Sequence, residues 1–86
     1  MDSFLNSVQE DARIGPNHIS LFAGLVKISR DRGNENPLVI FSSEVMPVCK
    51  LTGATTYYRT LRELHHYGYI SYIPSYNHFL GSLVKL

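Results

Sequence analysis

The chain has 86 residues, of which 44% are hydrophobic and 17% are charged, and it contains one cysteine. This length supports one domain with a modest core, because a chain this short buries only about 60% of the surface that it exposes when unfolded. Its apolar runs are far shorter than the ~18 residues that cross a bilayer, and its start, MDSFLNSVQEDA, lacks the basic residues and apolar centre of a secretory signal. We therefore expect a cytoplasmic protein without an internal disulfide that does not associate with membranes.

Charge is divided unevenly along the chain, although the formal net charge is only +1. Residues 1–49 contain four basic and six acidic residues, which gives −2, whereas residues 50–86 contain four basic residues and one acidic residue, which gives +3. An anionic partner would therefore prefer the C-terminal half.

The N-terminal segment, residues 1–16, has apolar residues with helical spacing. These are Phe4, Leu5, Val8 and Ala12. The spacing predicts a short helix that Asp2 or Ser3 caps and Gly15-Pro16 ends, but isolated helices of this length are marginal in water, so a frayed terminus is the alternative.

The next segment predicts a helix over 17–31, with Asn17 as its N-cap. Its apolar residues follow three-and-four spacing at Ile19, Phe22, Leu25 and Val26. The sequence DRGN then predicts a stop with Gly33 in the left-handed conformation, and the run LVIF predicts one strand over 38–41.

Two further helices follow the strand. The first is predicted over 43–50, where Ser42 or Ser43 would cap it and Pro47 would kink it if the cap lies early. After a tight turn at Leu51-Thr52-Gly53, the second is predicted over 54–67, with Gly68 at its C-terminal end. Three of its residues have the spacing i, i+4 and i+7 and are expected to face the core, namely Tyr57, Leu61 and Leu64.

The remaining residues predict a β-hairpin. Residues 69–73 and 82–86 have strand composition, and the sequence PSYNHFLG joins them. The order is thus helix, strand, helix, turn, helix and hairpin, which predicts a mainly α fold with a small β-sheet.

The stretch TGATTYYRTLRELHHYGYI resembles the pattern of winged helix-turn-helix domains. It has a small-residue turn, a threonine before a buried position, an arginine, a leucine pair, and then a glycine and an isoleucine that open the wing. More narrowly, ARIGPNHISLF together with ELHHYGYISYIPSYN is similar to small transcriptional-regulator-like proteins encoded on bacterial conjugative mobile elements. The resemblance implies one winged helix-turn-helix domain over 17–86, with a three-helix core and a hairpin wing after the N-terminal segment.

The resemblance also implies a role in binding double-stranded DNA, with the helix at 54–67 in the major groove and the hairpin at 69–86 as the wing. Outward-facing arginine and hydroxyl groups suit phosphate oxygens and base edges. The wing tip lacks lysine and arginine, unlike basic wings, so aromatic packing of Tyr76 and Phe79 is expected to hold it in position. The predicted DNA-binding residues are Lys50, Thr52, Thr55, Thr56, Tyr58, Arg59, Arg62, Tyr76, Asn77 and His78.

Several of these side chains have purely structural alternatives. Arg59 and Arg62 can simply solvate an exposed helix. Thr55 and Thr56 can cap its first turn, and Tyr58 can be a half-buried packing residue.

The sequence does not indicate an enzyme. His65 and His66 are adjacent, so their side chains point about 100° apart on a helix and cannot together chelate one metal ion. The single Cys49 is typical of a small buried hydrophobe. Because the chain also lacks a Gly-rich phosphate loop and a Gly-x-Ser-x-Gly motif, we expect no catalytic site, no metal and no cofactor.

One copy of such a small module would bind DNA weakly, so we expect a homodimer or a partner protein to enlarge the interface. The N-terminal segment, the first helix of the domain and the edge of the final strand are the surfaces predicted for that contact. The sequence predicts a transcriptional regulator or an accessory factor in excision or replication of a mobile element. The alternative is a winged-helix protein-interaction module that does not bind DNA.

Overall fold

The computed structural model of the chain describes residues 11–75 and 80–86. Over these residues the fold is α+β, with three helices and a three-stranded antiparallel sheet. In chain order the elements are α1 Pro16–Asp31, β1 Leu38–Ile40, α2 Ser42–Cys49, α3 Ala54–His66, β2 Ser71–Ile73 and β3 Ser82–Lys85. Most of the predicted N-terminal helix lies outside the described residues, and residues 11–15 form a turn rather than a helix.

Helix α1 begins one residue earlier than predicted, and Asn17 is not its cap. Gly15 is the N-cap, and its N–H donates to Nδ1 of His18 over 2.9 Å. Pro16 suits the first helical position because the N–H that it lacks would have no partner inside the helix. Gly33 has the predicted left-handed conformation, with φ 77°, and follows the end of the helix.

The buried face of α1 differs from the predicted stripe. Ile19 is 37% exposed, whereas Leu21 and Ile28 are buried together with the predicted Leu25. These three buried residues have the spacing i, i+4 and i+7, which centres the core face on Leu25. Ile19 lies to the side of that face.

Helix α2 begins at Ser42, so neither predicted serine is its N-cap. Phe41 is the N-cap, and its side chain makes no capping hydrogen bond. Pro47 is therefore the sixth residue of α2, where it cannot donate a hydrogen bond to the preceding turn. The helix ends at Cys49, and its C-cap is Lys50, whose left-handed backbone has φ 59°. The N–H of Leu51 then donates to the carbonyl of Met46 over 3.1 Å.

Helices α1 and α2 approach each other closely at Gly24. A Cβ atom at this position would overlap the Sγ atom of Cys49. Cys49 is buried, as predicted for a small hydrophobe, and its thiol donates a weak hydrogen bond to the carbonyl of Leu21 over 3.7 Å. This close contact fixes the distance between the first two helices.

Helix α3 has the predicted inward face. Tyr57, Leu61 and Leu64 are all buried, and each contributes to the core. Thr60 is buried as well, and its hydroxyl is satisfied because it donates to the carbonyl of Thr56 over 2.7 Å. The helix is followed by Gly68 in the left-handed conformation, with φ 86°.

The sheet has the order β1-β3-β2, so the final strand lies in the centre. Leu38 and Tyr72 both pair with Val84, and all three side chains face the helices. The predicted pairing of the final strand with a partner chain is therefore wrong, because β3 is hydrogen-bonded on both sides. All three strands are shorter than predicted, since residues 41, 69, 70 and 86 are outside the ladder.

Both edges of the sheet are covered by side chains. At the β1 edge, the carbonyl of Val39 accepts a hydrogen bond from Arg32 over 2.7 Å. At the β2 edge, the N–H of Tyr72 donates to Nδ1 of His65 over 3.0 Å. Such contacts discourage the addition of a further strand.

No helix among the described residues has the length and apolar character needed to span a membrane.

Candidate nucleic-acid interface

A polar stripe runs along α3 on the side opposite the core. Thr55, Arg59, Arg62 and His66 are spaced i, i+4, i+7 and i+11, and all four are exposed. This spacing aligns them on one face of a helix that has 3.6 residues per turn. The stripe therefore offers two guanidinium groups, a hydroxyl and an imidazole along about three turns.

The cations of this stripe have no partner among the described residues, unlike most cations near the N-terminal end of the chain. Arg13 pairs with Asp11, Lys27 pairs with Asp31, and Arg32 pairs with both Glu35 and Glu44. Within residues 11–75 and 80–86, five cationic side chains form neither a hydrogen bond nor an ion pair with a described residue. They are Arg30, Lys50, Arg59, Arg62 and Lys85.

The one carboxylate of α3 is turned away from the stripe. Glu63 lies beside α1, where its Oε1 atom is 3.1 Å from Nε2 of His18. Each carboxylate side chain in the described part of the chain has a basic partner of this kind. The positive charge that remains uncompensated is therefore concentrated in residues 50–86, which contain four of the five cations without a described partner.

The turn before α3 carries two further predicted residues. Lys50 and Thr52 are exposed between α2 and α3. Gly53 is the N-cap of α3 and has no side chain to occupy the first N–H groups of the helix. Exposed helix N-termini attract phosphate oxygens, so this turn adds to the polar surface near Thr55.

Two other predicted residues lie on the flanks of the stripe. Thr56 is half-buried, whereas Tyr58 is 38% exposed. The Tyr58 ring packs edge-on against Tyr57 with 4.9 Å between ring centroids. Tyr58 also lines a cavity of about 240 Å³ with Ser75 and Ser82 from the base of the hairpin. The structure thus places Thr55, Arg59 and Arg62 on one face of α3. Thr56 and Tyr58 lie to the sides of that face.

The predicted wing residues Tyr76, Asn77 and His78 lie outside the described residues. Phe79, for which aromatic packing was predicted, also lies outside them. At the base of this segment, the N–H of Ser75 donates to Oγ of Ser82 over 3.4 Å.

His66 was missed as a candidate contact by the sequence interpretation, which considered it only as a metal ligand. The signal was available, because His66 continues the spacing of Thr55, Arg59 and Arg62 by one more turn.

The titratable groups with perturbed pKa values lie outside the stripe. Hydrogen bonds from Arg13 and Tyr69 hold the pKa of the Asp11 carboxyl well below its usual range. Burial raises the pKa of the Cys49 thiol to about 11, so that at neutral pH it is protonated and weakly nucleophilic. Burial also raises the pKa of Tyr57. Among the described residues, no group of three or more His, Cys, Asp or Glu side chains could hold a metal ion.

Comparisons with family models, with curated proteins and with solved structures found no match to this chain. Its function is therefore inferred from the geometry of its own residues.

Proposed function

We propose that this protein is a winged helix-turn-helix DNA-binding protein in which α3 enters the major groove. We further propose that it acts as a regulator of transcription, or as an accessory factor in excision or replication of a mobile element. The observation that carries the proposal is the stripe on α3, where Arg59 and Arg62 are exposed without a described carboxylate partner.

The architecture supports this proposal. The helices α2 and α3 are joined by a short turn, and the hairpin of β2 and β3 follows directly. Tyr58, Ser75 and Ser82 line one cavity, so the base of the hairpin lies beside the N-terminal half of α3. A wing that extends from this base would lie next to DNA bound by α3. Because β3 is paired to β1, the hairpin is also anchored to the helical core.

The chemistry of the stripe suits a duplex. An arginine fork can donate two hydrogen bonds to O6 and N7 of guanine, and threonine can donate to base edges or phosphates. The N-terminal residues of a recognition helix normally approach the bases most closely. On α3 these are Thr55 and Arg59, whereas Lys50 and the first N–H groups of the helix would contact the backbone.

The expected affinity of one copy is low. A module of this size buries roughly 600 to 1,000 Å² on DNA, and its non-specific Kd is about 10⁻⁴ to 10⁻⁶ M at physiological salt. A homodimer or a partner protein would enlarge the footprint and set the spacing of half-sites.

The proposal is tested by a gel shift with a random-sequence duplex over a salt series. Arg59→Ala and Arg62→Ala are each expected to weaken binding and to lower the slope of log K against log salt by about 0.9. Arg30→Ala is the matched control, because Arg30 is an exposed cation on α1 that also has no partner among the described residues. Absence of binding at low salt, or equal effects of all three variants, would contradict the proposal.

Specificity is tested by selection of bound DNA from a random pool. If Arg59 contacts a guanine, Arg59→Ala should cost about 1 to 3 kcal/mol and relax the preference at one base pair. A phosphate contact would instead weaken binding to all sequences alike.

The alternative function is protein interaction without DNA binding, and one observation favours it. The outer face of the sheet has a row of apolar side chains, because Val39 and Ile73 both pair with Leu83 and all three are exposed. Exposed apolar patches of this kind are typical of protein contacts. A chain that fails to bind DNA at low salt, but whose association with a partner is lost in Leu83→Ser, would support this alternative.

A further inference from the structure

The three histidines that the structure describes have different environments. In His18, Nδ1 accepts the N–H of Gly15 and Nε2 contacts Glu63. In His65, Nδ1 accepts the N–H of Tyr72, which requires a lone pair on that nitrogen. His66 is exposed, and neither of its ring nitrogens has a hydrogen-bond partner among the described residues. His78 lies outside those residues.

The position of His66 connects it to the proposed DNA surface. It lies one turn beyond Arg62 on the same face of α3 and belongs to the last turn of the helix. A protonated His66 would therefore extend the cationic stripe by one turn.

The charged and titratable groups around His66 supply no free carboxylate from the described residues. On its own helix, Arg62 is a like charge and Glu63 is already paired with His18. The Tyr67 ring contacts His66, with 5.9 Å between ring centroids, and also lies 6.0 Å from the His18 ring of α1. From residues 11–15, Arg13 stacks over Tyr67 at 4.2 Å and is itself paired with Asp11. A negative partner for the imidazolium must then come from outside this set.

We propose that DNA binding by α3 is coupled to protonation of His66, whose imidazolium contacts a backbone phosphate. This inference rests on the proposed DNA-binding function. Histidine changes its charge between about pH 5 and 8, and a phosphate beside the ring stabilises the charged form. Binding and protonation are linked reciprocally, so DNA affinity should rise as pH falls through this range.

The test measures binding to a random-sequence duplex over a salt series at about pH 6 and about pH 8. For the wild type, the slope of log K against log salt should be steeper by about 0.9 at the lower pH, because one more cation displaces counterions. His66→Gln should give the same slope at both pH values. His66→Lys should bind at the higher pH with the steeper slope that the wild type shows only at the lower pH.

His65 serves as the matched control. His65→Gln removes an adjacent imidazole that faces β2, and it should leave the pH dependence of the slope intact. Thermal unfolding of each variant at both pH values identifies effects that arise from loss of folded protein.

The outcomes separate this inference from the proposed function. If the wild type does not bind DNA at low salt at either pH, the proposed function fails. If binding depends on Arg59 and Arg62 but His66→Gln keeps the full pH dependence, the coupling to His66 is wrong and the DNA-binding function stands. Loss of the pH dependence in His65→Gln alone would also overturn the coupling.

Discussion

Two arginines of the domain, Arg32 and Arg59, have opposite environments. Arg32, after α1, donates to the carbonyl of Val39 over 2.7 Å and pairs with Glu35 and Glu44, so it joins the end of α1, strand β1 and the start of α2. Arg59, on α3, has no such partner among the described residues. The same residue type therefore stabilises the fold in one region and is free to bind an anion in the other.

The charge balance follows from this difference. The cations that stabilise the fold neutralise carboxylates, so they contribute little to the field outside the protein. The cations without a described partner remain on the surface, and most of them lie in residues 50–86. A small net charge of +1 thus conceals a positive surface around α3. The following substitutions test whether the paired and the unpaired cations have different roles.

The largest effect is expected from the double substitution R59Q/R62Q. It should make the slope of log K against log salt shallower by about 1.8, because two cations are removed from the proposed interface. Its free energy of unfolding should change by less than about 0.5 kcal/mol, since both side chains are exposed. The matched control R13Q/R32Q removes the same net charge from paired positions. Equal slopes for the two double variants would show that net charge, rather than position, controls binding.

The next effect is expected from R32Q. It removes a hydrogen bond to a carbonyl and leaves Glu35 and Glu44 without this partner, so the free energy of unfolding should fall by about 1 to 2 kcal/mol. Urea denaturation measures this change, and R30Q is the control because Arg30 has no described partner. The account of Arg32 is wrong if both variants are equally stable.

Smaller effects are expected from Lys50→Gly, which should increase stability but weaken DNA binding. The left-handed backbone at Lys50, with φ 59°, is strained for a residue with a Cβ atom, so glycine should raise the free energy of unfolding by about 0.5 to 1 kcal/mol. The same change removes a cation near α3 and should weaken DNA binding. Lys50→Asn tests the charge separately, because asparagine tolerates this backbone conformation. A glycine variant that binds DNA as tightly as the wild type would remove Lys50 from the interface.

The smallest effect is expected at Asp11. Hydrogen bonds from Arg13 and Tyr69 lower the pKa of this carboxyl in the folded state, so its contribution to stability is present above the unfolded pKa of about 4. That contribution should be lost as the pH falls below about 4. The difference in unfolding free energy between the wild type and D11N, measured against pH, reports it. A difference that stays constant over this range would mean that the contact is absent in solution.

Local patterns predicted the inner side of α3 well. The spacing of Tyr57, Leu61 and Leu64 fixes which side of the helix is buried, and that depends only on the helical period. Gly33 was predicted in the left-handed conformation, and Gly68 at the end of α3, for a similarly local reason, since other residues are strained in that conformation.

Contacts between distant residues could not be predicted from local pattern. The orientation of Glu63 depends on the His18 ring, which is 45 positions away in sequence. The pairing of β1 with β3 joins residues near position 39 to residues near position 83, and no turn between them specifies it. For the candidate site, the sequence identified Arg59 and Arg62, but only the ion pairs of the fold separate them from Arg32.

We propose that the stripe of Thr55, Arg59, Arg62 and His66 is the surface that binds DNA. The most direct measurement is a chemical-shift titration of isotope-labelled protein with a random-sequence duplex at low salt. We expect the largest changes at the amides and side chains of this stripe and at the turn containing Lys50. Changes confined to the outer face of the sheet, or no changes at all, would contradict the account.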